Sequence, residues 1–306
     1  MKNLFIFILL IQFFESHSQQ KIEISYIENQ DNSVSFNYKK NVSGSYLVVL
    51  DFSNLSNTRE QRRINKIVQN KSGSILKLKP INKENRIGFN YKYIYYRGNI
   101  NSKINKEYPY ILPFKKGEKV VPKELYSLEN KYLNEKTPKG WKSYSFTFNE
   151  PKKVMAIRKG KVIEVKDIYN PDNNLEISYY SQQNLISIEH KDGSVATYKG
   201  FDKNKILVNE GETVYPQTIL GEITKFDKRN IYRLYLSLYS YTTKKNISLS
   251  TIKSSDDYEI TYLTPKFFTK NSLNKLIDLK QYIVDYDEKT LFKEMRKKEI
   301  KKFKLK

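Results

Sequence analysis

The 306-residue chain contains no cysteine. That excludes disulfides, a thiolate nucleophile, cysteine-ligated zinc and a lipid-modified cysteine anchor. Histidine is almost as scarce, with two copies, His17 and His190. Glycine occurs only 11 times, and no phosphate-cradling or dinucleotide-binding glycine pattern is present, nor a G-x-S-x-G nucleophile elbow. No apolar run reaches the ~20 residues that a membrane-crossing helix needs. The chain is rich in aromatics, with 25 tyrosines and 16 phenylalanines, and 39% of its residues are hydrophobic. It can therefore build real cores, and general disorder is excluded.

The first residues, "MKNLFIFILLIQFFESHSQQ", set Lys2 before an apolar stretch from Leu4 to Phe14, followed by small residues at Ser16 and Ser18. This is the pattern of a secretory signal peptide over residues 1–18, cleaved after Ser18. The expected product is exported, periplasmic or extracellular, with no transmembrane anchor. The formal net charge of +22 points to anionic partners such as a lipid surface or a cell-wall polymer. Export makes nucleic acid a poor partner. The basic residues are spread along the whole chain apart from a C-terminal block, as on a solvated surface.

Removal of the leader would leave a single histidine. Catalytic zinc generally takes three protein ligands in which His dominates. A Ser-His-Asp triad would have to use His190, and no spacing singles out a carboxylate pair. In "ISIEHKDG" the alternation Ile186, Ile188, His190 places the histidine on the apolar face at a strand end, beside an Asp192-Gly193 turn. It reads as a hydrogen-bonded structural histidine.

Short alternating segments divided by Asn, Asp, Gly and Ser predict an all-β protein. Residues 19–105 read as a small sandwich-like domain: "IEISYIENQDNSVSFNYKK" as two strands, Asn41–Gly44 as a turn, "SYLVVLDF" as a buried strand, Arg59–Lys66 as a helical turn or loop, then "GSILKLKPI" and the aromatic "RIGFNYKYIYYRGNI". Tyr91, Tyr93 and Tyr95 share one strand face, which predicts sheet packing. Residues 106–250 form the second domain, and 251–306 a C-terminal extension. Within that extension "SLNKLIDLKQYI" suggests a short helix capped by Ser272. Leu291, Phe292 and Met295 lie at helical spacing in a basic tail, read as a solvated terminal helix or as one lying on an anionic surface.

Five segments in order resemble the lysostaphin-type (LytM-like) zinc endopeptidase family, whose fold is a duplicated hybrid motif, and most closely its secreted Bacteroidetes-type members. "YSFTFNEP" resembles H-x-G-x-D-F-x-x-P, "VMAIRKGKVIEV" resembles V-x-A-x-x-x-G-x-V, and "ISIEHKDGSVATYKGF" resembles I-x-I-x-H-x-D-G-x-x-x-x-Y-x-H-L. "ILVNEGETVYPQTILGEI" resembles V-x-x-G-x-x-V-x-x-G-x-x-I-G, and "YRLYLSLYSY" resembles H-L-H-F-E-V. They lie between Tyr144 and Tyr241, and the resemblance as a whole covers the segment from about Tyr108 to Tyr241.

The family's chemistry is not carried by these residues. Its three zinc ligands correspond to Ser143, Thr147 and Tyr235, and its catalytic histidines to Gly200 and Arg233. His190 corresponds to a histidine that binds no metal. The resemblance thus implies no catalytic residue, no metal ligand and no cofactor. It implies a pseudoenzyme whose old substrate groove is lined by Tyr198, Arg233 and Tyr235, and which binds peptidoglycan or regulates a cell-wall hydrolase. The alternatives are an active zinc endopeptidase with unorthodox ligands, such as His190, Asp192 or Glu150, and an envelope scaffold or assembly component.

Overall fold

The structure is a computed structural model, and it describes residues 21–126, 141–170, 183–225, 230–245, 247–270 and 272–305. The expected signal peptide lies outside the described residues. The described residues are all-β apart from a 3-10 turn and two short helices near the end.

Alternation explains the first domain. Strands β1 (Ile22–Glu28), β2 (Val34–Lys40), β3 (Tyr46–Ser56), β4 (Arg63–Val68), β5 (Ser72–Leu78) and β6 (Gly88–Arg97) make two three-stranded antiparallel sheets. Their orders are β1-β2-β5 and β4-β3-β6. Between the sheets lie Ile22, Phe36, Val48, Leu50 and Leu78, all fully or almost fully buried. The tyrosines expected on one face of β6 do pack on this core. The Tyr91 and Tyr93 hydroxyls donate to the carbonyls of Ile24 and Ile22 on the facing sheet, at 3.4 and 3.3 Å. Strand β3 lacks alternation because both its faces are covered: Tyr46, Val48 and Leu50 face the sandwich, while Leu47 and Val49 face the second domain.

The Arg59–Lys66 segment corrects the sequence expectation. Residues 59–62 are loop, but from Arg63 the segment is strand β4 rather than helical turn or loop, because Ile64 and Lys66 stand opposite Leu50 and Val48 in the β3 register and Arg63 pairs with Asp51 at 3.2 Å. Cross-strand pairing decides what a mixed local pattern leaves open.

The second domain contains β7 (Pro109–Tyr110), β8 (Lys119–Val120), β9 (Pro122–Tyr126), β10 (Lys142–Phe148), β11 (Lys153–Met155), β12 (Gly160–Lys166), β13 (Asn184–His190), β14 (Val195–Ile206), β15 (Thr213–Val214), β16 (Ile219–Ile223), β17 (Tyr232–Thr243), β18 (Tyr258–Tyr262), β19 (Lys266–Thr269), β20 (Ser272–Asn274) and β21 (Tyr282–Ile283). The main sheet runs β15-β12-β13-β14-β17-β10-β9, with β16 bridging β11 and β14 and with β18 on β17. One face is the core: Ile186, Ile188, Ala196, Tyr198, Leu234, Leu236 and Phe146 are at most barely exposed. Each fully buried leucine or isoleucine here contributes about 2 kcal/mol. At the bulge between Val162 and Glu164 one residue is left over, and its side chain, Ile163, joins Leu47, Val49, Tyr96 and Tyr241 in the seam between the domains.

Strands after residue 250 are woven into this domain: β19 pairs in parallel with β7, and β21 pairs with β8. Ser272 caps no helix. It sits in the β19–β20 hairpin, where its hydroxyl donates to the Thr269 carbonyl and the Asn274 amide donates to Thr269 and Ser272. Those short polar side chains satisfy a turn, which outweighs a weak helical pattern. The tail forms two helices, α1 (Glu288–Leu291), capped by Asp287, and α2 (Lys297–Lys304).

Candidate binding face

The strict alternation of β17 splits its side chains between the core and the opposite face of the sheet. Leu234, Leu236 and Leu238 are buried, whereas Arg233, Tyr235 and Tyr239 are half-buried on the other side. The register then assembles a polar surface. Thr147 of β10 stands opposite Arg233, and Ser145 opposite Tyr235. On the other flank Lys199 of β14 stands opposite Tyr235. The Arg233 guanidinium donates to the Thr147 hydroxyl and to the Tyr235 hydroxyl, each at 3.3 Å. Ser143 is buried and donates to the Leu236 carbonyl at 3.2 Å. Further along, Ser187 and Thr197 hydrogen-bond at 3.0 Å, and Ser187 donates to Glu164. Arg97 of the sandwich lies 3.9 Å from Glu164, so the first domain borders this surface at one end.

The fold thus brings Ser143, Thr147, Gly200, Arg233 and Tyr235 into one neighbourhood. Gly200 is there for a backbone reason. Its φ is +106°, and a Cβ would stand 2.3 Å from the Arg233 carbonyl oxygen. No larger residue fits this backbone without moving β17.

Tyr198 does not join the surface. It is fully buried on the core face, and its hydroxyl accepts the Ile157 N–H at 3.0 Å. Burial pushes its phenol well above the ordinary range. Adjacent strand positions point to opposite faces, so Tyr198 cannot share a face with Lys199. Of the three residues expected to line a groove, Arg233 and Tyr235 share this face and Tyr198 does not.

The residues present do not fit zinc. Serine and threonine hydroxyls are poor zinc donors at neutral pH, and a guanidinium within 3.3 Å of Thr147 and Tyr235 would repel a dication. Among the described residues no three His, Cys, Asp or Glu side chains converge. His190 is buried, and its Nδ1 donates to the Lys159 carbonyl at 3.0 Å. Burial and the nearby Arg158 charge hold the ring far below its ordinary pKa, hence neutral.

The strongest polar cluster was not legible in the sequence. Arg158 is 1% exposed and donates twice to Glu294, at 3.0 and 2.7 Å, and once to Asp192, at 2.9 Å. Its guanidinium carbon lies 3.7 Å from the centroid of the Tyr108 ring. Asp192 also accepts from Ser194 and from the Asn105 N–H. Burial would raise the Asp192 carboxyl, but Arg158 and the Ser194 hydrogen bond outweigh it and hold it below its usual value. Lys159 extends the cluster to Glu299 of α2 at 2.7 Å. The lysine and the Arg296 N–H lower the Glu299 carboxyl to about 2. The tail is thus fastened along its inner side, while Arg296, Leu305 and most of its lysines are solvated. Glu294 and Arg158 are 136 positions apart, and no local pattern connects them.

No family model matches the chain. A curated protein, described as a putative ankyrin repeat protein of Acanthamoeba polyphaga mimivirus, is 28% identical over 125 residues, or 37% of this chain. The chain spans 19% of that protein's length. Among solved structures, the catalytic domain of the antimicrobial peptidase lysostaphin from Staphylococcus simulans is 22% identical, covering 46% of this chain and 88% of that one, with a TM-score of 0.26. The deep-sea M23 metalloprotease pseudoalterin is 13% identical over 58% of this chain and 98% of its own, with a TM-score of 0.32. A zinc-containing peptidase from Vibrio cholerae is 16% identical over 71% and 74% of the two chains, at 0.25. Scores this low carry no chemistry from those proteins to this chain.

Proposed function

We propose that the protein is an exported, non-catalytic member of the lysostaphin-type fold group that uses the Arg233–Tyr235 face to bind peptidoglycan peptides or a cell-wall hydrolase. The observation that carries this reading is the convergence of Ser143, Thr147, Gly200, Arg233 and Tyr235 on neighbouring strands. These are the places where the sequence resemblance puts the family's ligands and catalytic histidines. Each holds a residue that is a poor zinc donor at neutral pH and cannot carry a proton as imidazole would. What the face offers instead is a guanidinium fork and a phenol, which suit peptide carboxylates.

Two measurements test it. After incubation with zinc and desalting, zinc per chain should be near zero, and a stoichiometry near one would restore the endopeptidase reading. Purified peptidoglycan should retain the protein in a pull-down, and Arg233→Ala should weaken that retention. Equal retention of the variant would remove the face from the proposal.

A further inference from the structure

A cavity of about 340 Å³ lies between the two domains, away from the Arg233–Tyr235 face. Ser45, Gln69 and Asn70 of the sandwich line one side, and Lys159, Lys161 and Lys191 line the other. The two carboxylates at its wall are already engaged. Glu294 gives both oxygens to Arg158, and Glu189 accepts the Ser45 N–H at 2.7 Å. Lys159 is taken by Glu299. Lys161 and Lys191 have no carboxylate within ion-pair distance among the described residues, and against the single charge of Glu189, which a backbone N–H does not neutralise, they leave the lining net positive.

A third cation sits behind the wall. Lys40 is 4% exposed, and its ammonium donates to the carbonyl of Gly44, itself a lining residue. Burial first, and then the Lys161 charge, lower Lys40 to about 8, with Glu189 opposing and Arg97 adding to the shift. Positive charge is crowded here beyond what the local acids neutralise. A folded protein holds such crowding at a cost, and a bound anion removes it.

We infer that this cavity binds a small phosphomonoester, its phosphate held by Lys161 and Lys191 and its organic part resting against the Gln69–Asn70 edge of the sandwich. A phosphomonoester carries close to two negative charges at neutral pH, which matches the two unpaired lysines. Lysines act as point charges that suit phosphate, whereas a carboxylate is best met by an arginine fork, which the lining lacks. The volume is at the small end for ligand pockets, and it is larger than a bare phosphate requires. Because both domains line the cavity, the ligand would brace the seam between them.

The test is calorimetric titration of the exported chain, at about 150 mM salt to suppress diffuse attraction, with glycerol phosphate, inorganic phosphate and succinate. We expect saturable one-to-one binding of glycerol phosphate, with inorganic phosphate and succinate each weaker by about tenfold or more. Lys161→Gln and Lys191→Gln should each weaken the ester about tenfold, and Lys301→Gln on the tail should change nothing. Melting temperatures of the variants confirm that they fold. No saturable binding, wild-type affinity in Lys161→Gln, or an equal loss in Lys301→Gln would overturn the site. Equal affinity for inorganic phosphate or succinate would overturn the ligand class.

Discussion

Replacing Arg158 by methionine removes a buried cation of similar length and leaves its carboxylates behind. Glu294 and Asp192 keep 15% and 11% side-chain exposure, so each would be stranded with little water. Breaking such a pair from one side typically costs about 3–5 kcal/mol. The residual hydration puts this case near the lower end, at about 3 kcal/mol. For a domain of this size that lowers the melting temperature by about 6–12 °C. Removing Glu294 as well, with Glu294→Gln, should restore part of the loss, giving a coupling of about 1–3 kcal/mol in a double-mutant cycle. Thermal denaturation followed by circular dichroism reads both numbers. Limited trypsin digestion adds a local reading, since the clamp holds the tail that carries Lys297, Lys298, Lys301 and Lys302. In Arg158→Met these sites should be cut first. A shift below 2 °C, or strictly additive single variants, would show that the clamp does not hold the tail to the domain.

Three further outcomes are expected. His190 is held neutral when folded and titrates near its ordinary value of about 6.5 when unfolded, so its contribution is complete above that pH and is lost as pH falls. Between pH 6.5 and 5.5 the wild type should lose about 1 kcal/mol that His190→Asn does not, and parallel urea-denaturation profiles for the two proteins would refute the neutral buried ring. Gly200→Ala should destabilise by about 3 kcal/mol, from left-handed strain plus the clash with the Arg233 carbonyl, and a loss under about 1 kcal/mol in chemical denaturation would mean that β17 yields easily. Tyr198→Phe strands the buried Ile157 N–H and should cost about 1–2 kcal/mol, while leaving peptidoglycan retention unchanged; weakened retention without lost stability would return Tyr198 to the binding face.

The β architecture was readable wherever one face of a strand is solvated, because period-2 alternation then reports the core directly, as in β17. It failed where pairing partners, rather than local residues, choose the conformation. Arg63–Val68 is a strand because β3 offers it an edge, and Ser272–Asn274 because β19 does. The candidate face was partly legible: motif order placed Arg233, Tyr235 and Gly200 side by side. Tyr198 was misplaced although its strand parity was available, since one step along β14 turns a side chain into the core. The Arg158 cluster was beyond reach, because charges paired across 136 positions leave no periodic trace.

The parallel pairing of β7 with β19, and the antiparallel pairing of β8 with β21, have a consequence for how the chain acquires its structure. Strands β7 and β8 have no strand partners until residues 266–283 have been delivered. Contacts so distant in sequence form slowly, because a long loop must close first. A chain threaded through a membrane from its amino end would release the sandwich early, as a self-contained unit of residues 22–97. The second domain would stay open until nearly the last residues emerged. Synthesis or transport that stopped near residue 250 would therefore leave exposed strand edges at β7 and β8, a species prone to aggregate rather than a shorter functional protein.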